Sequence, residues 1–213
     1  MPDTLLIIFW LAYFIQHSLL ASLWFKQHLF SLYPALRTYY RLLYNLLSTV
    51  LLIPLVFILY RDFGALVIQW EGPWRWLSYF LSAFALIGFA VTMKYYDSAD
   101  FLGFKQLKAA VRIENNRPAA GFCLSPLHRY VRHPWYFLGL IILWTRDMDI
   151  NLLVSALLIS VYLVIGSRME ERKLVVELGD IYQQYRSTVP GLLPLPWKYL
   201  TAAEAKELLQ SGQ

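Results

Sequence analysis

Long apolar runs alternate with short polar connections along the chain. Thr4–Phe25, Leu42–Tyr60 and Trp76–Met93 extend for 22, 19 and 18 residues without a Lys, Arg, Asp or Glu, close to the roughly 20 residues that carry a helix across a bilayer core. They predict three transmembrane helices. Trp135–Thr145 is a shorter apolar run, the polar turn TRDMDIN follows, and Asn151–Gly166 is apolar again. This pattern predicts a tight helical hairpin whose first arm either starts earlier in the chain or stops short of a full span. The expected fold class is all-α: an integral membrane helical bundle of about five transmembrane helices with a C-terminal hairpin. Residues 1–93 form its three-helix N-terminal region, and residues 94–213 supply connector, hairpin and tail. The first run is too long for a cleaved signal peptide, and no basic residue precedes it.

Composition agrees with a membrane protein. Of 213 residues 58% are hydrophobic and only 15% charged, against roughly 25% charged in an ordinary soluble domain. The net charge of +5 comes from basic residues that lie beside apolar runs, so an anionic membrane surface is the expected partner and nucleic acid is not. Three Lys and Arg fall in the 26–41 loop, seven in 94–135 and six from 167 onward, sixteen in all; only Arg61, Arg75 and Arg146 fall in the opposite connections. The positive-inside rule then places the N-terminus outside and the C-terminus in the cytoplasm, in an inner or cytoplasmic membrane. The lone Cys123 excludes an intrachain disulfide and reads as a small apolar filler. There is no G-x-G-x-x-G, P-loop or H-E-x-x-H pattern and no cluster of soft ligands, so no metal is expected.

Candidate chemistry concentrates in two clusters on the cytoplasmic side. HRYVRHPWY (128–136) packs two histidines, two arginines, a proline and three aromatics into the entrance of the hairpin. Arg and His ahead of a span act as snorkelling anchors, Trp and Tyr as belt residues, and Pro134 as a helix-starting residue; the same residues also suit an anion at a helix N-terminus. SRMEERKLVVELGDIYQQY (167–185) places Glu170 and Glu171 at the end of the last apolar run. Neighbours on a helix point about 100° apart, so these carboxylates suit two different tasks, one facing a pocket and one bonded to its surroundings. The plainer alternative is a solvated helix end, with Glu170 reaching Lys173 and Arg168 reaching Glu171. A site with cations, carboxylates and rings suits a zwitterionic, aromatic-bearing ligand such as S-adenosylmethionine.

YVRHPWYFLG followed by EERKLVVELGDIYQQYRSTVP resembles the Arg-His-Pro-x-Tyr and Glu-Glu-x-x-Leu…Gly-x-x-Tyr-x-x-Tyr pattern of the membrane methyltransferase superfamily. That superfamily includes isoprenylcysteine carboxyl methyltransferases, phospholipid methyltransferases, methanethiol S-methyltransferases and NnrU proteins. The strong part of the match covers Leu127–Pro194; FIQHSLLAS, PALRTYYRLLY and DSADFLGFKQL upstream look more like the methanethiol and NnrU branches. The resemblance implies a cytoplasmic S-adenosylmethionine site lined by Tyr130, Arg132, His133, Pro134, Tyr136 and Gly139. It further implies that Glu170 or Glu171 binds the cofactor, with Leu174, Tyr182 and Tyr185 closing or supporting it. Leu178 departs from the family, which often has Phe before the glycine.

Two function classes stay open at this point. One is a methyltransferase acting on a small or lipophilic acceptor, a thiol ahead of a carboxylate or lipid amine; the other is a non-catalytic NnrU-like accessory or transport protein that keeps the fold. No residue is assigned to catalysis. His17, inside the first span, is a candidate acceptor contact because polarity in lipid is costly, although a hydrogen bond to a neighbouring helix serves equally. Asp97, Asp100 and Lys105 line an acceptor channel or form a solvated connector. The charge count predicts that a tag at Gln213 and a probe at Asn115 report the cytoplasm, whereas Met148→Cys in a Cys123→Ser background labels from outside. Labelling of Met148→Cys from the cytoplasmic side alone means that the hairpin is re-entrant.

Overall fold

The computed structural model describes residues 4–61, 64–96, 102, 104 and 124–210; Asp97, Asp100, Lys105 and Cys123 lie outside the described residues. The described chain is helical, with eight α-helices and one two-stranded sheet. These are α1 Thr4–Ala21, α2 Leu23–Leu32, α3 Leu36–Arg61, β1 Leu66–Ile68, α4 Gly72–Met93, α5 Pro134–Trp144, β2 Met148–Asp149, α6 Ile150–Leu178, α7 Asp180–Thr188 and α8 Ala202–Gln210. Four helices, α1, α3, α4 and α6, are long and apolar enough to cross a membrane. Their outward faces carry exposed Ile15, Ile53, Phe57, Phe80, Leu86, Ile87 and Val161, which is the reverse of a soluble helix and fits a lipid surround. The protein is an integral membrane helical bundle.

Two expectations change in detail. The first apolar run does not continue as one helix to Phe25. It breaks at Ser22, whose hydroxyl donates to Leu19 O at 2.7 Å and accepts from Phe25 N at 3.2 Å, capping a new helix in place of continuing the old one. The short arm α5 starts at Pro134 and holds 11 residues. At 1.5 Å per residue that is about 16 Å, roughly half of a bilayer core, so the helix by itself is shorter than a full span.

The chain divides into two compact units. The first holds α1, α2, α3, the β1–β2 pair and the first turns of α6. Helices α1 and α3 run antiparallel and are stitched by polar side chains: Tyr40 Oη donates to Leu20 O at 2.6 Å, and Tyr44 Oη meets His17 Nε2 at 2.7 Å. Two to three turns nearer the N-terminus, Trp10 and Leu6 are buried, and Trp10 Nε1 donates to Ser155 Oγ at 2.9 Å. Buried Asp149 accepts from Gly64 N at 2.9 Å and from Leu152 N at 2.8 Å, fixing the start of α6. In lipid such bonds matter because nothing outside the protein can satisfy these groups.

The second unit holds α4, α5, the rest of α6, α7 and α8. Helices α4 and α5 are antiparallel, held by Ser82–Thr145 at 2.7 Å near one end and by Trp135 Nε1 to Thr92 Oγ1 at 3.0 Å near the other. Trp144 Nε1 donates to Ser160 Oγ at 3.0 Å and sets α5 against α6. Beyond α6, Gly179 at φ 60° takes a backbone conformation that only glycine holds easily and turns the chain into α7. Tyr182, Tyr185, Val189, Leu200, Ala205 and Leu208 make one buried cluster that docks α8 on α7. The capping box expected at α8 is present, with Thr201 N donating to Glu204 Oε2 at 2.7 Å and Glu204 N to Thr201 Oγ1 at 3.3 Å.

Between Ser82 and Thr92, α4 passes α5 at Gly88, where an added Cβ would lie 2.8 Å from Leu138 Cδ2. Leu138 is fully buried, and its methyl groups must turn away to admit a side chain at 88. Gly88→Val is therefore expected to cost about 1 to 3 kcal/mol through overpacking, read as a lowered Tm in detergent. Gly166→Ala, inside α6 with nothing within 4 Å of the added carbon, should hold or raise Tm.

Candidate functional site

The HRYVRHPWY segment begins in a 3-10 turn, Pro126–Arg129, and ends in the first turn of α5. It is locked in place by the tail that follows α7. Arg132 N donates to Pro190 O at 2.8 Å, His133 N to Gly191 O at 3.1 Å, and Leu200 N to Arg129 O at 2.9 Å. Tyr185 Oη adds a bond of 2.7 Å to His128 O. The prolines of VPGLLPLPW stiffen this strap, and Pro134 sets the backbone at the helix start where its missing N–H costs nothing.

Onto this frame α6 delivers two consecutive glutamates with opposite surroundings. Glu171, with its side chain 8% exposed, faces Arg132 Nη2 at 2.7 Å, Arg186 Nε at 3.3 Å and His133 Nε2 at 3.2 Å. Arg132 Nε also donates to it at 2.8 Å, while Arg132 Nη1 donates to the carbonyls of Arg186, at 2.8 Å, and Val189. Glu171 and the strap thus consume most of the Arg132 donors. Glu170 is 49% exposed, with Oε2 3.5 Å from His133 Nδ1 and accepting from Tyr136 Oη at 3.2 Å. The two carboxylates diverge as helix geometry requires, yet they meet opposite nitrogens of one imidazole. Their closest partners come from the entrance and first turn of α5 and from α7, while Lys173, the neighbour that the plainer reading of the sequence offered, also bears electrostatically on Glu170.

The remaining candidates fall around this core. The Tyr136 ring stacks on His133 at 5.3 Å and 12°. Tyr130 is exposed, stacked on Tyr199 at 5.8 Å and lying under the Arg129 guanidinium. Gly139 lies on α5 with open space where a side chain would project, and Pro134 is buried. Leu174 packs against the cluster around Tyr182 and Tyr185, both 2% exposed. Burial pushes both phenols well above their ordinary range, helped at Tyr182 by the Glu171 charge, so these rings support the site from behind as neutral groups. His17 stands in the other unit, bonded through Nε2 to Tyr44 and with its ring 5.7 Å from Tyr13, a helix-to-helix hydrogen bond of the kind that accommodates a polar side chain in lipid.

Three participants escaped sequence reasoning. Arg186 looked like one basic residue among several, and its approach to Glu171 depends on the turn at Gly179. Gly191 lies so close that an added Cβ would meet Arg132 Nη2 at 3.3 Å and Glu171 Oε1 at 3.7 Å. His128 stands in the opening motif but has its own pocket. Its Nδ1 accepts from Ser125 N at 3.1 Å and contacts Ser125 Oγ at 2.8 Å, leaving Nε2 to face Tyr96 Oη at 3.1 Å. Tyr96 in turn packs on Trp135 at 4.7 Å.

Burial lowers the His128 pKa to about 4, with the nearby His133 adding to the shift and Glu170 opposing it. The unfolded value lies near 6.5, so between these limits the unfolded chain binds more protons. The stabilisation is complete above about pH 6.5 and is lost as pH falls toward about 4. Between about pH 7 and pH 4.5 the wild type should lose about 2 to 3 kcal/mol more unfolding free energy than His128→Gln, measured by denaturant titration in detergent.

Known proteins resemble this chain over most of its length. It is similar to proteins named methanethiol S-methyltransferase from Pseudomonas sp. strain GM41, at 34% identity over 184 residues, and from Pseudomonas deceptionensis, at 32% over 185 residues. It is likewise similar to methanethiol S-methyltransferase 2 of Bradyrhizobium diazoefficiens, at 34% over 182 residues. Each comparison covers 84% of this chain and 68% of the relative. No family model and no solved structure matches the chain. With a bundle of membrane-length helices, both motif halves in one unit and this breadth of identity, the chain belongs to the methanethiol S-methyltransferase family of the membrane methyltransferase superfamily.

Proposed function

We propose that this protein is an S-adenosylmethionine-dependent methyltransferase that transfers methyl to a small or lipophilic thiol, with the cofactor entering from the cytoplasm and residues 94–213 carrying its site. The observation that carries this reading is the unequal fate of the two glutamates. Glu171 is consumed by Arg132 and Arg186, whereas Glu170 keeps a half-exposed carboxylate beside the Tyr136 hydroxyl and the His133 ring.

That donor set fits a zwitterionic sulfonium. Glu170 would hold the cationic end, the Tyr136 face would favour a sulfonium over a neutral sulfide, and the first-turn N–H groups of α5 would favour the carboxylate. Such a cofactor supplies an already activated methyl group. The work left to the protein is alignment for in-line displacement and exclusion of water. The relatives' name supports a thiol acceptor, and the apolar surface of the helices supports its approach through the lipid. The charge distribution supports an external N-terminus and a cytoplasmic C-terminus.

Isothermal titration of the detergent-purified protein should show S-adenosylmethionine binding that Glu170→Gln weakens by about 1 to 3 kcal/mol, the range for losing a charged hydrogen bond. Membranes given labelled S-adenosylmethionine and methanethiol should release label as a volatile thioether, with EDTA present. A folded wild type that binds no S-adenosylmethionine overturns the reading, and label found only in base-labile methyl esters replaces the thiol with a carboxylate acceptor.

A further inference from the structure

We propose that Glu170, backed by His133, takes the proton that the thiol acceptor loses, an assignment that rests on the thiol methylation proposed above. An alkyl thiol is largely neutral near pH 7, and its thiolate is the reactive nucleophile. Methylation by a sulfonium breaks the sulfonium carbon–sulfur bond and the acceptor S–H bond and forms one new carbon–sulfur bond. Two neutral sulfides and one proton result. A carboxylate or pre-formed thiolate acceptor would need no base, but a neutral thiol in a water-poor site does.

Of the two glutamates at the site, one is placed to take that proton. The Glu171 oxygens already face Arg132 and Arg186, whereas Glu170 is half exposed and open to an incoming group. Tyr136 Oη donates to Glu170 Oε2 at 3.2 Å and orients it. Behind it, His133 Nδ1 lies 3.5 Å from Glu170 Oε2, and His133 Nε2 lies 3.2 Å from Glu171 Oε1. The ring is nearly enclosed, stacked on Tyr136, and has a carboxylate at each nitrogen. A proton arriving on Glu170 can therefore move to His133 Nδ1, where the resulting cation sits between two carboxylates, and can return to solvent along the exposed edge of Glu170.

Charge balance favours the same group. Transfer removes the positive charge of the sulfonium, and a proton retained on the Glu170–His133 pair restores the local sum. A carboxylate left alone in a partly desolvated site would be costly.

The test compares two thiols of similar size, ethanethiol and the more acidic trifluoroethanethiol, with the detergent-purified wild type, Glu170→Gln and Tyr136→Phe. Saturating S-adenosylmethionine is used, and its binding is measured separately by calorimetry. Glu170→Gln should slow ethanethiol methylation by about 100-fold, the scale of a lost general base, and trifluoroethanethiol methylation by less than about 10-fold. Tyr136→Phe should show the same ordering with smaller losses. In cofactor-free protein the His133 imidazole 15N resonances should shift in Glu170→Gln and stay in place in Glu177→Gln. Equal losses for the two thiols, or His133 resonances indifferent to Glu170, overturn the proton assignment while leaving the methyltransferase reading intact. Absence of S-adenosylmethionine binding by the wild type removes that reading and the assignment with it.

Discussion

A carboxylate that is nearly enclosed must be met by cations and hydrogen-bond donors or it will not stay charged there. Glu171 is such a group, and the local architecture follows from meeting its demand. Arg132 comes from the entrance of α5, Arg186 from α7, and His133 from the first residue before the helix. The same Arg132 guanidinium reaches back to the carbonyls of Arg186 and Val189, so one ion pair also fixes where the strap after α7 begins. Glycine at 191 keeps the space into which a side chain would otherwise press. With Arg132 and His133 held, Tyr136 lies over the imidazole and Glu170 remains the half-exposed carboxylate.

The helices that carry these groups are held by means suited to lipid. Burial of apolar surface gives little preference for helix on helix over helix on acyl chain, so close packing and hydrogen bonds decide. Indole and hydroxyl side chains perform that task along α4, α5 and α6: Trp135 with Thr92, Trp144 with Ser160, Ser82 with Thr145. Gly88 lets α4 approach Leu138 of α5 closely. The register set by these contacts determines which turn of α6 stands opposite His133, and therefore which glutamate is enclosed.

Much of this was legible in the sequence. Uninterrupted apolar runs marked the four long helices because a bilayer imposes length and polarity together, and the Thr201–Glu204 spacing marked the start of α8. Consecutive glutamates on a helix announced two separate surroundings. Other features depend on long-range geometry that no local pattern carries. Ser22 reads as a small residue within an apolar run until its hydroxyl is seen to cap a second helix. Leu66–Ile68 and Met148–Asp149 pair across 80 and 83 positions, a separation that no local pattern bridges. Arg186 and Gly191 become site residues only after Gly179 reverses the chain, and His128 separates from His133 only through its bonds to Ser125 and Tyr96.

The central claim is that the Arg132–Glu171 pair is a coupled structural unit on which the rest of the site is assembled. A double-mutant cycle on unfolding free energy in detergent, with Arg132→Met, Glu171→Gln and the double variant, tests it most directly. The account predicts that each single variant is strongly destabilised by its abandoned partner and that the double variant recovers part of the loss, with a coupling of about 2 to 3 kcal/mol. Losses that simply add, with coupling near zero, would contradict it.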